Sequence, residues 1–414
     1  MPIPEQYRFS MRFYLHYFLY IPNNVCNFTY MYTRILKQPL TLNSSFFLFG
    51  PRGTGKTTWL QRHFSTGNTL YLDLLNTGLY TQLLARPQQL ESLITAKTDF
   101  VILDEIQRIP ALLNEVHRLI VNRGIRFALT GSSARRLRKK GVNLLAGRAL
   151  TYNMHPLTAI ELGPDFDISR AIRYGQLPSV IGHSAPAEYL KSYVQTYLRE
   201  EILQEGLTRN LANFARFLEI ASFSQASPLN VSQIARDAAL DRKVVDGYFS
   251  ILDDLLIAHK LPAFTKRAKR RLTLHPKFFF FDVGVYRAIR PMGPLDTPEE
   301  ADGACLETLC FQELRAINDG LGLNYDLYYW RTSDGTEVDF VVYGERGLLA
   351  FEIKRARNYT SRDLRGLRSF RADYPIARCH LLYGGDHERE EDGIRILPIR
   401  QALANLSHLL TNEV

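Results

Sequence analysis

Residues 50–58 read GPRGTGKTT, a run that sets glycines, a lysine and a hydroxyl at the spacing a phosphate-wrapping loop requires. Gly50, Gly53 and Gly55 let the backbone turn its amide hydrogens inward, and Pro51, Arg52 and Thr54 complete the cradle. Lys56 is placed to reach the β- and γ-phosphates and Thr57 to hold Mg²⁺. Thr58 continues into KTTWLQRHF, a helix whose positive end favours anions. The expected ligands are ATP and Mg²⁺. A Gly-rich turn that binds nothing is the alternative; an apolar strand before the loop and a helix after it argue against that.

Hydrolysis needs further groups at the same edge. FVILDEIQ (100–107) supplies Asp104, expected behind Mg²⁺, and Glu105, a carboxylate able to orient and deprotonate a water. Alone, Asp-Glu after a strand is an ordinary helix start. Downstream of a complete loop it reads as the hydrolytic half of the site. FALTGSS (127–133) adds the hydroxyls of Thr130, Ser132 and Ser133. Arg148, in LLAGRAL, either acts on a phosphate of its own or a neighbouring subunit, or makes a structural ion pair.

A second set lies near the C-terminus. Glu307 sits on an amphipathic helix (303–319), Asp339 in GTEVDFVVYG, and Glu352 and Lys354 on one face of the strand GLLAFEIKRA. Three carboxylates of this kind suit one or two Mg²⁺ ions, with Lys354 positioning a water or offsetting charge, as a metal-dependent nuclease would require. The plain alternative is a mixed sheet whose exposed face carries acids and a lysine. Between the two sets, KRAKRR places Lys266, Arg267, Lys269, Arg270 and Arg271 at the tip of a strand pair, with no acidic residue between Leu255 and Phe281. That tip suits DNA phosphates, or is a solvated hairpin beside a protein-docking helix pair.

These residues need an α/β scaffold. SFFLFG, TLYLDL, FVILDE, RFALTG and ALTYNM are apolar throughout, as in strands covered on both faces of a parallel sheet, and helical patterns separate them. Residues 158–225 read as helices, and 226–288 as helix, turn, helix and strand pair, a winged-helix pattern. IRPMGPLDTPEEAD is a linker (289–302), and 303–414 forms a further α/β domain. The P-loop core spans 31–157.

The charge of +9 over 414 residues favours a polyanionic partner, and four cysteines without ligand spacing fit a reducing cytoplasm. RFSMRFYLHYFLYI is too short to span a bilayer and lacks a cleavage site, so residues 1–30 are either an appendage or a start-site artefact, and no membrane association is expected. Homo-oligomerisation is required only if Arg148 acts on a neighbour.

The chain resembles the bacterial and archaeal AAA-like ATPases that join an N-terminal P-loop domain to a C-terminal domain of unknown function with a restriction-endonuclease-like core. The resemblance rests on GPRGTGKTT, FVILDEIQRIP, FALTGSSARRL, LLAGRAL, YGQLPSV, the YLREEI helix, and GTEVDFVV with FEIKRA. It implies a sheet of the additional-strand, catalytic-glutamate type, with Glu105 as base. A helical lid and winged helix then precede a nuclease-like core carrying Glu307, Asp339, Glu352 and Lys354. Gln176 departs from the family's double-glycine turn. Taken with the residues above, the function expected is an ATP-binding, ATP-hydrolysing protein whose nucleotide state controls a DNA-binding or nuclease-like domain. The alternative is a switch whose nuclease-like fold only binds DNA or protein.

Overall fold

Alternate residues of an apolar strand face opposite ways, so Phe46 and Leu48 bury in one layer while Phe47 and Phe49 bury in another. Their strand is β1 (Ser45–Phe49). It lies in a parallel sheet with β2 (Thr69–Asp73), β3 (Phe100–Asp104), β4 (Arg126–Gly131) and β5 (Ala149–Asn153), in the order β2-β3-β4-β1-β5. The computed structural model describes residues 32–41, 43–65, 67–132, 145–198, 210–268, 270–293 and 298–411. The N-terminal run 1–30, Ser133, Lys269 and most of YLREEI lie outside them. The five apolar runs all become strands, and β1, β3 and β4 are buried as their composition predicts. β2 and β5 are not: they form the sheet margins, and most of their residues are only half-buried or exposed.

The sheet order places β4 between β1 and β3 although β4 follows both in the chain. Because all five strands run parallel, the loops leaving β1, β3 and β4 gather at one edge of the sheet. The helix Lys56–Phe64 leaves β1 there and buries Trp59 and Leu60 against it.

Beyond the parallel sheet, Asn230 and Asp241 cap two helices, Val231–Ala238 and Arg242–Asp254, with side-chain oxygens. They pack beside a small sheet of β6 (Ser227–Pro228), β7 (Ala258–Leu261) and β8 (Lys277–Phe280), in the order β6-β8-β7. A long helix, Pro298–Leu321, leads to a sheet of β9 (Asp326–Arg331), β10 (Glu337–Gly344), β11 (Gly347–Lys354), β12 (Arg378–Tyr383), β13 (Arg389–Glu391) and β14 (Ile394–Pro398). Its order is β13-β14-β12-β11-β10-β9, antiparallel through β9, β10 and β11 and parallel across β11, β12 and β14. One continuous apolar cluster runs from Leu157 to Leu410 and takes in the helices after β5, the small sheet, the long helix and one face of the C-terminal sheet. Among the described residues no helix is long and apolar enough to cross a membrane.

Candidate nucleotide site and C-terminal carboxylate site

The P-loop follows β1 directly, and its glycines answer to measurable constraints. A Cβ on Gly50 would lie 2.3 Å from the Met154 carbonyl oxygen, closer than any real contact. Gly53 and Gly55 take φ values of 84° and 89°, the left-handed region that side chains disfavour. Gly50→Ala should therefore cost about 1–3 kcal/mol of stability by overpacking, read as a lower denaturation midpoint in urea. An unchanged midpoint would mean that β5 yields freely.

Inside the cradle Lys56 is buried, and its ammonium donates to the carbonyls of Gly50 (2.6 Å) and Pro51 (3.2 Å). Thr54 Oγ1 also donates to Pro51 O, at 2.8 Å. Arg52 and Thr58 are exposed at its rim. Thr57 Oγ1 donates to Asp104 Oδ2 across 2.7 Å, joining the loop to the end of β3. Tyr71 from β2 donates to the same oxygen at 2.7 Å, and Thr130 from β4 donates to Asp104 Oδ1. Burial and the neighbouring Asp104 carboxylate push the Tyr71 hydroxyl well above its ordinary pKa, so it stays a donor. Asp104 is thus held by side chains from three elements.

Glu105 follows in the left-handed conformation, φ 62° and ψ 43°. Its amide donates to Thr130 Oγ1 at 3.4 Å, and its carboxylate accepts from Gln107 Nε2, which also donates to Ser132 Oγ at 3.2 Å. An uncommon backbone state held by specific partners re-aims a side chain, here along the edge that carries Thr57 and Asp104. Gly50, Thr57, Asp104, Glu105, Thr130 and Ser132 are therefore brought together. Arg148 is not. It precedes β5, in register with the start of β1, roughly 16 Å of strand from the loop, and it is exposed there.

Three partners of the loop lie outside the phosphate-loop motif itself. Arg34 donates to Thr54 O (2.8 Å) and His155 O (2.6 Å) and pairs with buried Glu161 at 2.9 Å. Tyr193 donates to Arg52 O at 2.9 Å. Ser179, within YGQLPSV, lies over Gly53, its buried hydroxyl without a hydrogen-bond partner. Gln176, the departure from the double-glycine turn, is fully buried and accepts from Gln312 of the long helix at 2.7 Å.

The same helix meets β5 and the segment after it. Asp319 accepts from Asn153 (3.2 Å) and pairs with His155 (2.7 Å), and Glu313 accepts from Ala159 N at 2.7 Å. Burial opposes the Asp319 charge, yet His155 and Arg315 hold its pKa down to about 2.

The C-terminal set assembles around an unexpected member. Asp339 sits where β10 slips register against β9, a bulge that re-aims side chains, and one step beyond the Phe340–Phe351 pair that aligns β10 with β11. Its Oδ2 accepts from Ile353 N at 2.8 Å, and Glu352 pairs with Lys354 at 2.9 Å. The ammonium of Lys277, from β8 of the small sheet, lies 3.3 Å from Glu307, 3.5 Å from Asp339 and in contact with Glu337. Burial works against that charge, but Glu307, Asp339 and Glu337 outweigh it and raise the lysine pKa. Burial pushes Glu307 up to about 8 and Glu352 well above the carboxylate range. Among the described residues no three His, Cys, Asp or Glu side chains are grouped to hold a metal ion. As placed, the set does not fit the Mg²⁺ site expected from Glu307, Asp339 and Glu352: Lys277 stands between the first two, and Glu352 is turned to Lys354.

The basic tip stays at the surface, and two of its cations are held there in ion pairs. Phe264 is buried against the C-terminal sheet, with its amide on Tyr329 O at 2.7 Å. Lys266 lies over the Tyr343 ring at 4.1 Å and pairs with Asp326 at 3.7 Å, while Arg270 pairs with Asp373 at 2.8 Å. Arg267 and Arg271 are exposed.

A family model described as "AAA domain" matches residues 43–163, the stretch that holds the loop, Asp104 and Glu105. This stretch is an AAA-type P-loop ATPase domain. Residues 165–296 and 302–402 each match a domain of unknown function (DUF8612 and DUF4143). An uncharacterized protein of Mycobacterium tuberculosis is 27% identical over 359 residues, covering 85% of this chain and 79% of its own. Another, from Methanocaldococcus jannaschii, is 23% identical over 344 residues, 75% of each chain. Among solved structures, a Walker-type ATPase of Pyrococcus abyssi aligns over 60% of this chain and 91% of its own at 13% identity and TM-score 0.42. The Aeropyrum pernix ORC1 protein, solved with DNA, aligns over 59% and 86% at 16% identity and TM-score 0.27. Scores this low carry no argument about activity. The ATPase domain rests instead on its family match and on the geometry of its own loop.

Proposed function

We propose that the protein hydrolyses ATP and that its nucleotide state governs how the C-terminal region engages nucleic acid. The observation that carries this is the joining of Thr57 to Asp104, with Glu105 next along the chain, at one edge of the sheet. In this reading the loop amides and Lys56 hold the phosphates, and Thr57 and Asp104 hold Mg²⁺. That ion supplies charge stabilisation when bound. Glu105 takes the proton of the attacking water.

The route outward runs from the loop through Arg34, His155 and the YGQLPSV turn to Asp319, Glu313 and Gln312 on the long helix. The net charge of +9 and the exposed Arg267 and Arg271 support a polyanion as partner. Of the two outputs, a metal-dependent nuclease and a nuclease-like fold that only binds, the second is favoured by the lysine among the carboxylates.

Lys56→Ala tests the first step. Losing a charge-assisted bond to phosphate should weaken ATP binding about 10–100-fold and remove turnover, measured by calorimetry and phosphate release with and without single- and double-stranded DNA. Equal turnover in the variant would refute the hydrolytic reading.

A further inference from the structure

Lys277 is 1% exposed, an unusual fate for a lysine, and it comes from a different sheet than the acids it meets. Its strand is fixed on both sides, to Pro228 of β6 and Leu261 of β7, and its ammonium lies 5.6 Å from the Tyr329 ring. The acids come from the long helix (Glu307) and from β10 (Glu337, Asp339). We infer that Lys277 is the resident cation of this carboxylate set: it takes the place of a divalent metal and clamps the small sheet to the C-terminal sheet.

Charge balance carries the argument. Glu307, Glu337, Asp339 and Glu352 meet Lys277, Arg331 and Lys354 at contact distance. Even with all four acids ionised, the three cations leave only one negative charge, and a Mg²⁺ ion added to that group would leave an excess of positive charge inside the protein. Space agrees, because an ammonium in contact with Glu337 and within 3.5 Å of two further carboxylates holds the position a shared ion would need. One oxygen, Glu352 Oε2, is buried without a hydrogen-bond partner, so the set keeps an acceptor that a second cation could draw on once the lysine is gone. Removing the lysine should convert the set into a metal site.

This deepens the binding-only reading, and the experiment keeps the two apart. Mn²⁺ binding to the full chain is followed by electron paramagnetic resonance without nucleotide, for wild type, Lys277→Ala, Asp339→Asn and the Lys277→Ala/Asp339→Asn pair. Expected is no Mn²⁺ site in the wild type that depends on Asp339. Lys277→Ala should gain one at least about tenfold tighter than any wild-type binding, lost again in the pair. Mn²⁺ should raise the melting temperature of Lys277→Ala and leave the wild type unmoved. Wild-type Mn²⁺ binding that Asp339→Asn abolishes overturns the inference, as does a folded Lys277→Ala that gains no site. Should Lys277→Ala fail to fold even with Mn²⁺, the wild-type and Asp339→Asn titrations decide alone. DNA cleavage that persists in EDTA would overturn the binding-only reading and leave Lys277 in its assigned role.

Discussion

Glu105→Gln is expected to cut ATP turnover by about 10²–10⁴-fold while ATP affinity stays within about twofold of wild type, the signature of a lost general base. The substitution is isosteric and keeps the left-handed backbone at φ 62° under the same strain. It removes only the proton acceptor. Asp104 remains bound by Thr57, Tyr71 and Thr130, so its place in the proposed Mg²⁺ site is undisturbed. Single-turnover phosphate release separates chemistry from binding. Wild-type turnover in the variant would move the base elsewhere along the edge.

The second large effect concerns pH and lies outside the ATPase domain. Glu313 is fully buried on the long helix, and burial pushes its pKa from 4.5 up to about 8, against the pull of the Ala159 amide and Gln176. A carboxyl raised in this way contributes stability that is fully present below pH 4.5 and lost as pH climbs toward 8, because the unfolded chain gives up the proton first. Glu313→Gln keeps an acceptor for Ala159 N and cannot ionise. Wild type should therefore lose more stability than the variant between pH 5 and pH 8, by at least about 1.4 kcal/mol, the worth of one pKa unit. Urea unfolding at both pH values measures it. Parallel losses would show that Glu313 does not change its ionisation on folding.

Much of the P-loop domain is legible in the sequence because its strands are short apolar runs and two of them lead straight into the motifs. Asp104 closes β3, and Gly50 opens the loop after β1. What the sequence hides are partners that no local spacing announces. Tyr71 is one aromatic among many until β2 lies beside β3, and Arg34 belongs to a lead-in without a motif. Lys277 left a faint signal, a lysine opening the apolar run KFFFF, which placed a charge where a core strand begins. The basic tip is exposed, as a run of cations predicts, but its partners were not legible: Lys266 and Arg270 pair with Asp326 and Asp373 from far along the chain. The strands β13 and β14 went unread because REE and IRILP are short and flank a turn.

The cluster that joins Leu157 to Leu410 bears on how the chain is made. Those residues are separated by roughly 250 positions, which a ribosome adds in about 13–50 s at 5–20 residues per second. Through that interval the apolar face of the helices after β5 has no C-terminal helix to cover it. The ATPase sheet, whose two buried layers lie between Leu36 and Met154, has no such wait. The parallel sheet can therefore close while the later core is still being synthesised, whereas the phosphate loop gains Glu161, Ser179 and Tyr193 as neighbours only once that core has begun to emerge.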